Sequence, residues 1–139
     1  FAGNTQSFSQ RVGLWKREHL HDPLKTIRYC KRLLKEGGRI IASIPNLMHI
    51  SVMEKLLQGH FTYTETGLLD KTHIHFFTYN EIVKMFEDGG YKVEKVKTIV
   101  RPISERQEDL IRKLLKVQKG ASKFMYEAFQ YDICVRLEY

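Results

Sequence analysis

Two glycines followed by a short aliphatic run constrain this chain more than anything else in it. Leu33-Leu34-Lys35-Glu36-Gly37-Gly38 reads as the last turn of a helix and its stop, because glycine takes the left-handed conformation that ends a helix without steric cost. Ile40-Ile41-Ala42-Ser43-Ile44 follows at once. It is short, β-branched and without strict polar alternation, so it reads as a strand covered on both faces. Pro45 has no N–H to give a ladder and should end that strand. In α/β sheets ligands bind beyond the carboxyl ends of strands, so the residues after Asn46 are the first place to look for a site.

On either side of this unit the pattern alternates between helix and strand. Asp22-Pro23 offers an N-cap and a first-turn proline, and Leu24, Ile27 and Leu34 recur at helical spacing, predicting a helix from Pro23 to about Glu36. Ser51 is placed to cap a short helix through about Gln58. Residues 59–77 then form a long connection rich in aromatics and histidine, too apolar for a linker; a connection of that length in a compact domain is usually a functional lid. Thr78-Tyr79-Asn80-Glu81 and Ser104-Glu105-Arg106-Gln107 are capping-box signatures for two further helices, the first ending at Gly89-Gly90 and the second near Val117. Between them, Tyr91–Val100 is strand-like, but its alternation changes phase near Glu94-Lys95, which predicts a bulge. Tyr131–Tyr139 alternates cleanly, with Tyr131, Ile133, Val135 and Leu137 on one face. Residues 1–17 form a poorly defined segment with at most a short strand near 11–15, and 18–139 read as one α/β unit.

Composition excludes some classes. With 42% apolar and 28% charged residues in 139, the chain is expected to fold as one domain. No window offers a membrane span, and no leader is visible at Phe1-Ala2-Gly3-Asn4. Cys30 and Cys134 lie far apart without motif spacing, so reduced cysteines and a cytoplasmic location are expected. The net charge of +7 allows a polyanionic partner. The lysines and arginines form no dense run, however, and scattered, solvated side chains are the simpler reading, with nucleic acid not expected as the main partner.

Five pieces then carry a family likeness: Glu18-His19-Leu20-His21-Asp22-Pro23, Leu33 to Ile41, Ile44-Pro45-Asn46, Asp70 to Thr78, and Gly89-Gly90-Tyr91. In this order and spacing they resemble the C-terminal half of class I S-adenosylmethionine-dependent methyltransferases, in the branch that includes the ubiquinone-biosynthesis type. The resemblance implies a partial Rossmann-like α/β fold, the last strands of a seven-stranded sheet with flanking helices. Residues 40–44 would be its fifth strand and 91–100 its sixth, with an antiparallel seventh, 131–139, inserted between them. The family's glycine-rich loop, which cradles the methionine part of the cofactor, and its ribose-binding acid have no counterpart in these residues. The chain is therefore expected to be a portion of such a domain, to bind S-adenosylmethionine weakly or not at all alone, and to be inactive in isolation.

The same resemblance nominates the site. Glu18 and His19 would lie at the mouth of the sheet beside the cofactor, and His19 and His73 would be catalytic, as bases for an acceptor that must lose a proton. As ordinary helix-flanking residues, Glu18, His19 and His21 would instead be solvated. Phe61, Tyr63, His75 and Phe76 are candidates for a substrate pocket, although aromatics also pack under loops. Glu18, His19 and His73 resemble part of the metal set of small-RNA 2′-O-methyltransferases, but Trp15 stands where that set needs a carboxylate, so no metal is expected. Asn46 is expected to bond within its own turn. The leading expectation is methyl transfer to a small-molecule or sugar acceptor. The alternatives are a non-enzymatic module that pairs with a second copy or with the missing N-terminal half, and a basic nucleic-acid binder.

Overall fold

The computed structural model describes residues 21–70 and 75–138. Its elements run α1 (Pro23–Cys30), β1 (Arg39–Pro45), α2 (Ile50–Leu57), α3 (Tyr79–Asp88), β2 (Tyr91–Val100), α4 (Glu105–Val117), α5 (Phe124–Glu127) and β3 (Ala128–Leu137). Asp22 caps α1 by accepting from the Lys25 N–H at 2.9 Å. The helix tightens into a 3₁₀ turn at Lys31–Leu33 and leaves helical geometry at Leu34, so it stops short of Glu36. Gly37 at φ +69° then turns the chain into β1.

The three strands form one sheet in the order β1-β3-β2. β3 is antiparallel to both neighbours, with Arg39 opposite Arg136 on one side and Tyr91 opposite Leu137 on the other. This is the arrangement expected for 40–44, 91–100 and 131–139, except that β3 starts at Ala128. The expected bulge is present: Val93 faces Val135 and Lys95 faces Cys134, leaving Glu94 as the extra residue.

One face of the sheet carries the main core. Ile40, Ala42, Ile44, Tyr131, Ile133 and Val135 pack there against Ile27 of α1 and Ile82 and Phe86 of α3. The expectation that β1 is covered on both faces is corrected. Arg39 and Ser43 are exposed, with Arg136 and Asp132 opposite them on β3, and Ile41 is half-buried opposite Cys134. Ser43 Oγ donates to Asp132 at 2.7 Å, and Arg39 pairs with Glu94 at 2.6 Å. The aliphatic content of residues 40–44 hid an alternation that its partner strands make plain.

A second cluster joins Ile50 of α2, Ile111 of α4 and Tyr126 of α5, and a third joins Val52 to Leu68 and Leu69. The capping box at Ser104 forms in both directions with Gln107. Two expected caps do not form. Thr78 precedes α3 without a side-chain cap bond, and α2 is capped by His49 rather than Ser51, because the imidazole accepts the Ser51 N–H. The predicted strand near 11–15 lies outside the described residues.

Candidate functional site

β1 and β2 point the same way, so their carboxyl ends share one edge of the sheet. Asn46 leaves β1 there fully buried. Its Oδ1 accepts from the Met48 N–H at 3.0 Å, the turn bond expected of it. Its Nδ2 also donates to the carbonyls of Met125 at 2.8 Å and Ala128 at 2.7 Å. A single amide thus ties the exit of β1 to the start of β3.

The long connection is fastened to the same place. Asn46 and Phe77 form a parallel bridge, and the Leu47 N–H donates to the Phe77 carbonyl at 2.9 Å. Further back, Thr64 closes a small loop by donating to the Leu69 carbonyl at 2.8 Å, and the buried Leu68 and Leu69 seat that loop on Val52. The described part of the expected lid is therefore pinned at two points.

Three of the four residues nominated for a substrate pocket meet. Phe61 stands edge-on to Tyr63 at 5.6 Å and to Phe76 at 5.7 Å, and Tyr63 and Phe76 are 6.0 Å apart. Phe61 and Tyr63 remain 41% and 54% exposed, so their rings are open to a ligand rather than sealed in the core. His75 goes elsewhere. Its Nε2–H donates to the His21 carbonyl at 3.2 Å, and it borders a groove of about 260 Å³ between the start of α1 and α3, lined also by Asp22, Phe77, Glu81 and Lys84. Glu18, His19 and His73 lie outside the described residues. Among the described residues, no three His, Cys, Asp or Glu side chains gather around one point as metal ligands.

The residue that sequence reasoning missed is His49. It is 4% exposed. Its Nδ1 takes the Ser51 N–H at 3.3 Å and lies 2.7 Å from Ser51 Oγ. An accepting Nδ1 places the proton on Nε2, and that buried N–H has no partner among the described residues. Burial, with the nearby Arg101 charge second, holds the imidazole below its ordinary pKa and therefore neutral. Its ring meets Phe129 edge-on at 5.4 Å, and the Arg101 guanidinium lies 3.8 Å from the centre of that phenyl ring. A histidine two residues before Ser51 was the available signal, obscured because serine is the commoner cap.

A cofactor cradle of the expected kind would put glycines at the carboxyl end of a strand that leads into a helix. The left-handed glycines among the described residues are Gly37, Gly59, Gly67 and Gly90, which sit at helix ends and in a loop turn. β1 is followed by Asn46 and His49 instead, so the described residues do not fit that cradle. The methyltransferase domain family matches residues 17–96, more than half of the chain and all of α1 through most of β2. No curated protein matches it. The chain belongs to the methyltransferase domain family, whose members in general transfer the methyl group of S-adenosylmethionine.

Proposed function

We propose that this chain orients a small-molecule or sugar acceptor for methyl transfer, as the C-terminal portion of a class I domain of the ubiquinone-biosynthesis type. The observation that carries the reading is the open aromatic group Phe61–Tyr63–Phe76, on a connection fastened to the carboxyl end of β1. Aromatic faces and edges receive a ring or the C–H face of a sugar. Much of the rate in such transfers comes from holding acceptor and methyl donor in line. His19 and His73 are the proposed bases for an acceptor that must lose a proton, and Glu18 is the proposed contact to the cofactor. The glycine-rich loop and ribose-binding acid are proposed to come from outside these 139 residues, and the free Cys30 and Cys134 suit a reducing, cytoplasmic setting.

Calorimetry with S-adenosylmethionine on the purified chain tests the cofactor part, with weak or no heat expected; micromolar binding to a monomer would overturn it. A thermal-shift screen of phenolic and sugar ligands tests the acceptor part. Hits should vanish in Phe61→Ala and Tyr63→Ala, and hits that persist in both variants would place the acceptor elsewhere.

A second reading, self-association, is favoured by one specific observation. β1 is an edge of the sheet among the described residues, and Tyr29 of α1 and Leu33 of the turn that follows it are 56% and 40% exposed. An unpaired strand edge next to apolar surface is a template for another chain. A homodimer through β1 and α1 is expected by light scattering, and a clean monomer at tens of micromolar would refute it.

A further inference from the structure

The groove of about 260 Å³ between the start of α1 and α3 is assembled from three separate stretches of chain. On α3, Glu81, Lys84, Met85 and Asp88 stand at i, i+3, i+4 and i+7, so they make one stripe along the helix. In the segment before it, His75 and Phe77 are two apart and turn to the same side, away from Phe76. Their ring centres lie 6.3 Å apart. Asp22 joins them from the head of α1, where its Oδ1 is held by the cap bond from the Lys25 N–H.

The lining divides by polarity. Pro23, Leu24, Phe77 and Met85 are partly buried, whereas Asp22, His75, Glu81, Lys84 and Asp88 are all exposed. The groove is therefore an apolar cleft with an open ionic rim. Three carboxylates stand on that rim against one lysine, in a chain whose net charge is +7. Among the described residues neither Glu81 nor Asp88 has an ion-pair partner, and Lys84, one turn from each, bonds to neither. Apolar walls concentrate the field of charges gathered around a concavity, so an acidic rim on a basic chain sorts ligands by sign. The frame is rigid as well. The Phe77 carbonyl accepts from the Leu47 N–H at 2.9 Å, and Ile82 and Phe86 bury the opposite side of α3 in the core.

We propose that this groove binds a small organic ammonium ion, its apolar body against Leu24, Phe77 and Met85 and its charge among Asp22, Glu81 and Asp88. An ammonium group brings several donors to carboxylates that only accept, and the faces of aromatic rings attract cations. The volume lies just under the ~300 Å³ at which drug-sized pockets begin, which suits a body of one ring. A bare metal ion fits less well, because among the described residues no three His, Cys, Asp or Glu side chains converge on one point. This goes beyond the methyl-transfer reading and does not depend on it.

The test is an NMR titration of the isotope-labelled chain with 2-phenylethylammonium, set against 2-phenylethanol and 3-phenylpropanoate as neutral and anionic probes of similar body. The ammonium should shift the amide signals of Phe77, Lys84 and Met85 with a dissociation constant on the order of 1 mM, and the other two probes should bind more weakly. Glu81→Gln with Asp88→Asn should weaken the ammonium by roughly two- to thirty-fold, the range of two exposed ion pairs, and flatten its salt dependence. Lys84→Gln should tighten it. A variant with Glu36→Gln and Glu105→Gln, the same charge removed from exposed positions elsewhere, should bind as the wild type does. Equal losses in the two double variants would mean general charge attraction and overturn the site. So would equal binding of the alcohol, tighter binding of the propanoate, or no shifts at ten times the expected dissociation constant.

Discussion

The Tyr91 hydroxyl donates to the Ile27 carbonyl at 2.9 Å, joining the first residue of β2 to α1 across 64 positions of sequence. The bond has a local cause. Where α1 tightens, the Lys31 N–H turns to the carbonyls of Arg28 and Tyr29 rather than to that of Ile27. A buried carbonyl deprived of its helical donor needs another, and the phenol supplies it. Tyr91→Phe keeps the ring and removes the donor, so unfolding in urea should show a loss of about 1–3 kcal/mol. An unchanged midpoint would show that the Ile27 carbonyl does not depend on the phenol.

Gly89, just past the end of α3, packs tightly against Ile27 of α1. A Cβ there would stand 2.6 Å from Ile27 Cγ2 and 3.2 Å from the Phe86 carbonyl. Gly89→Ala should cost about 1–3 kcal/mol through overpacking, despite alanine's better helix propensity. A stabilised variant in thermal melts would mean that the two helices separate at little cost.

Asn46→Ala should be among the most damaging single changes. It strips donors from two carbonyls and an acceptor from one N–H, all at a fully buried position. At about 1–3 kcal/mol for each group left unsatisfied, a loss of several kcal/mol is expected in denaturant titration. Asn46→Asp should rescue little, since a carboxylate cannot donate to the two carbonyls.

His49 gives the fold a pH dependence. Its folded pKa lies below the ordinary 6.5 because of burial, with the Arg101 charge contributing second. The unfolded chain therefore takes up a proton as pH falls below about 6.5 while the folded chain does not, and stability falls with falling pH until the folded pKa is reached. The slope from this group is at most about 1.4 kcal/mol per pH unit. His49→Asn keeps a capping acceptor and should flatten the curve between neutral and mildly acid pH. Parallel curves for the two proteins would remove His49 as the source.

The backbone architecture was largely legible from punctuation. Gly37, Gly89-Gly90, Asp22-Pro23 and Ser104–Gln107 each mark a boundary through a local steric or hydrogen-bonding rule, and the central antiparallel β3 followed from the family likeness. Features that depend on distant partners were harder to read. The outer face of β1 becomes polar only when Asp132, Glu94 and Arg136 are brought beside it. Asn46 was legible as a turn residue, but not as a donor to residues about eighty positions away. His49 displaced Ser51 as a cap because its ring is packed against Phe129, a contact no local pattern announces. His75 and Phe76 are adjacent in sequence yet serve different surroundings, because successive side chains of an extended segment point opposite ways.

The central strand follows both of its neighbours in the chain. Among the described residues, β1 and β2 therefore have no lateral backbone partner in this sheet until β3 arrives, and Arg39 must wait for Arg136. During synthesis both earlier strands emerge before the strand that joins them in the described sheet. Loop closure over such separations slows folding, so the rate-limiting event should be insertion of β3, a single step that closes both ladders at once.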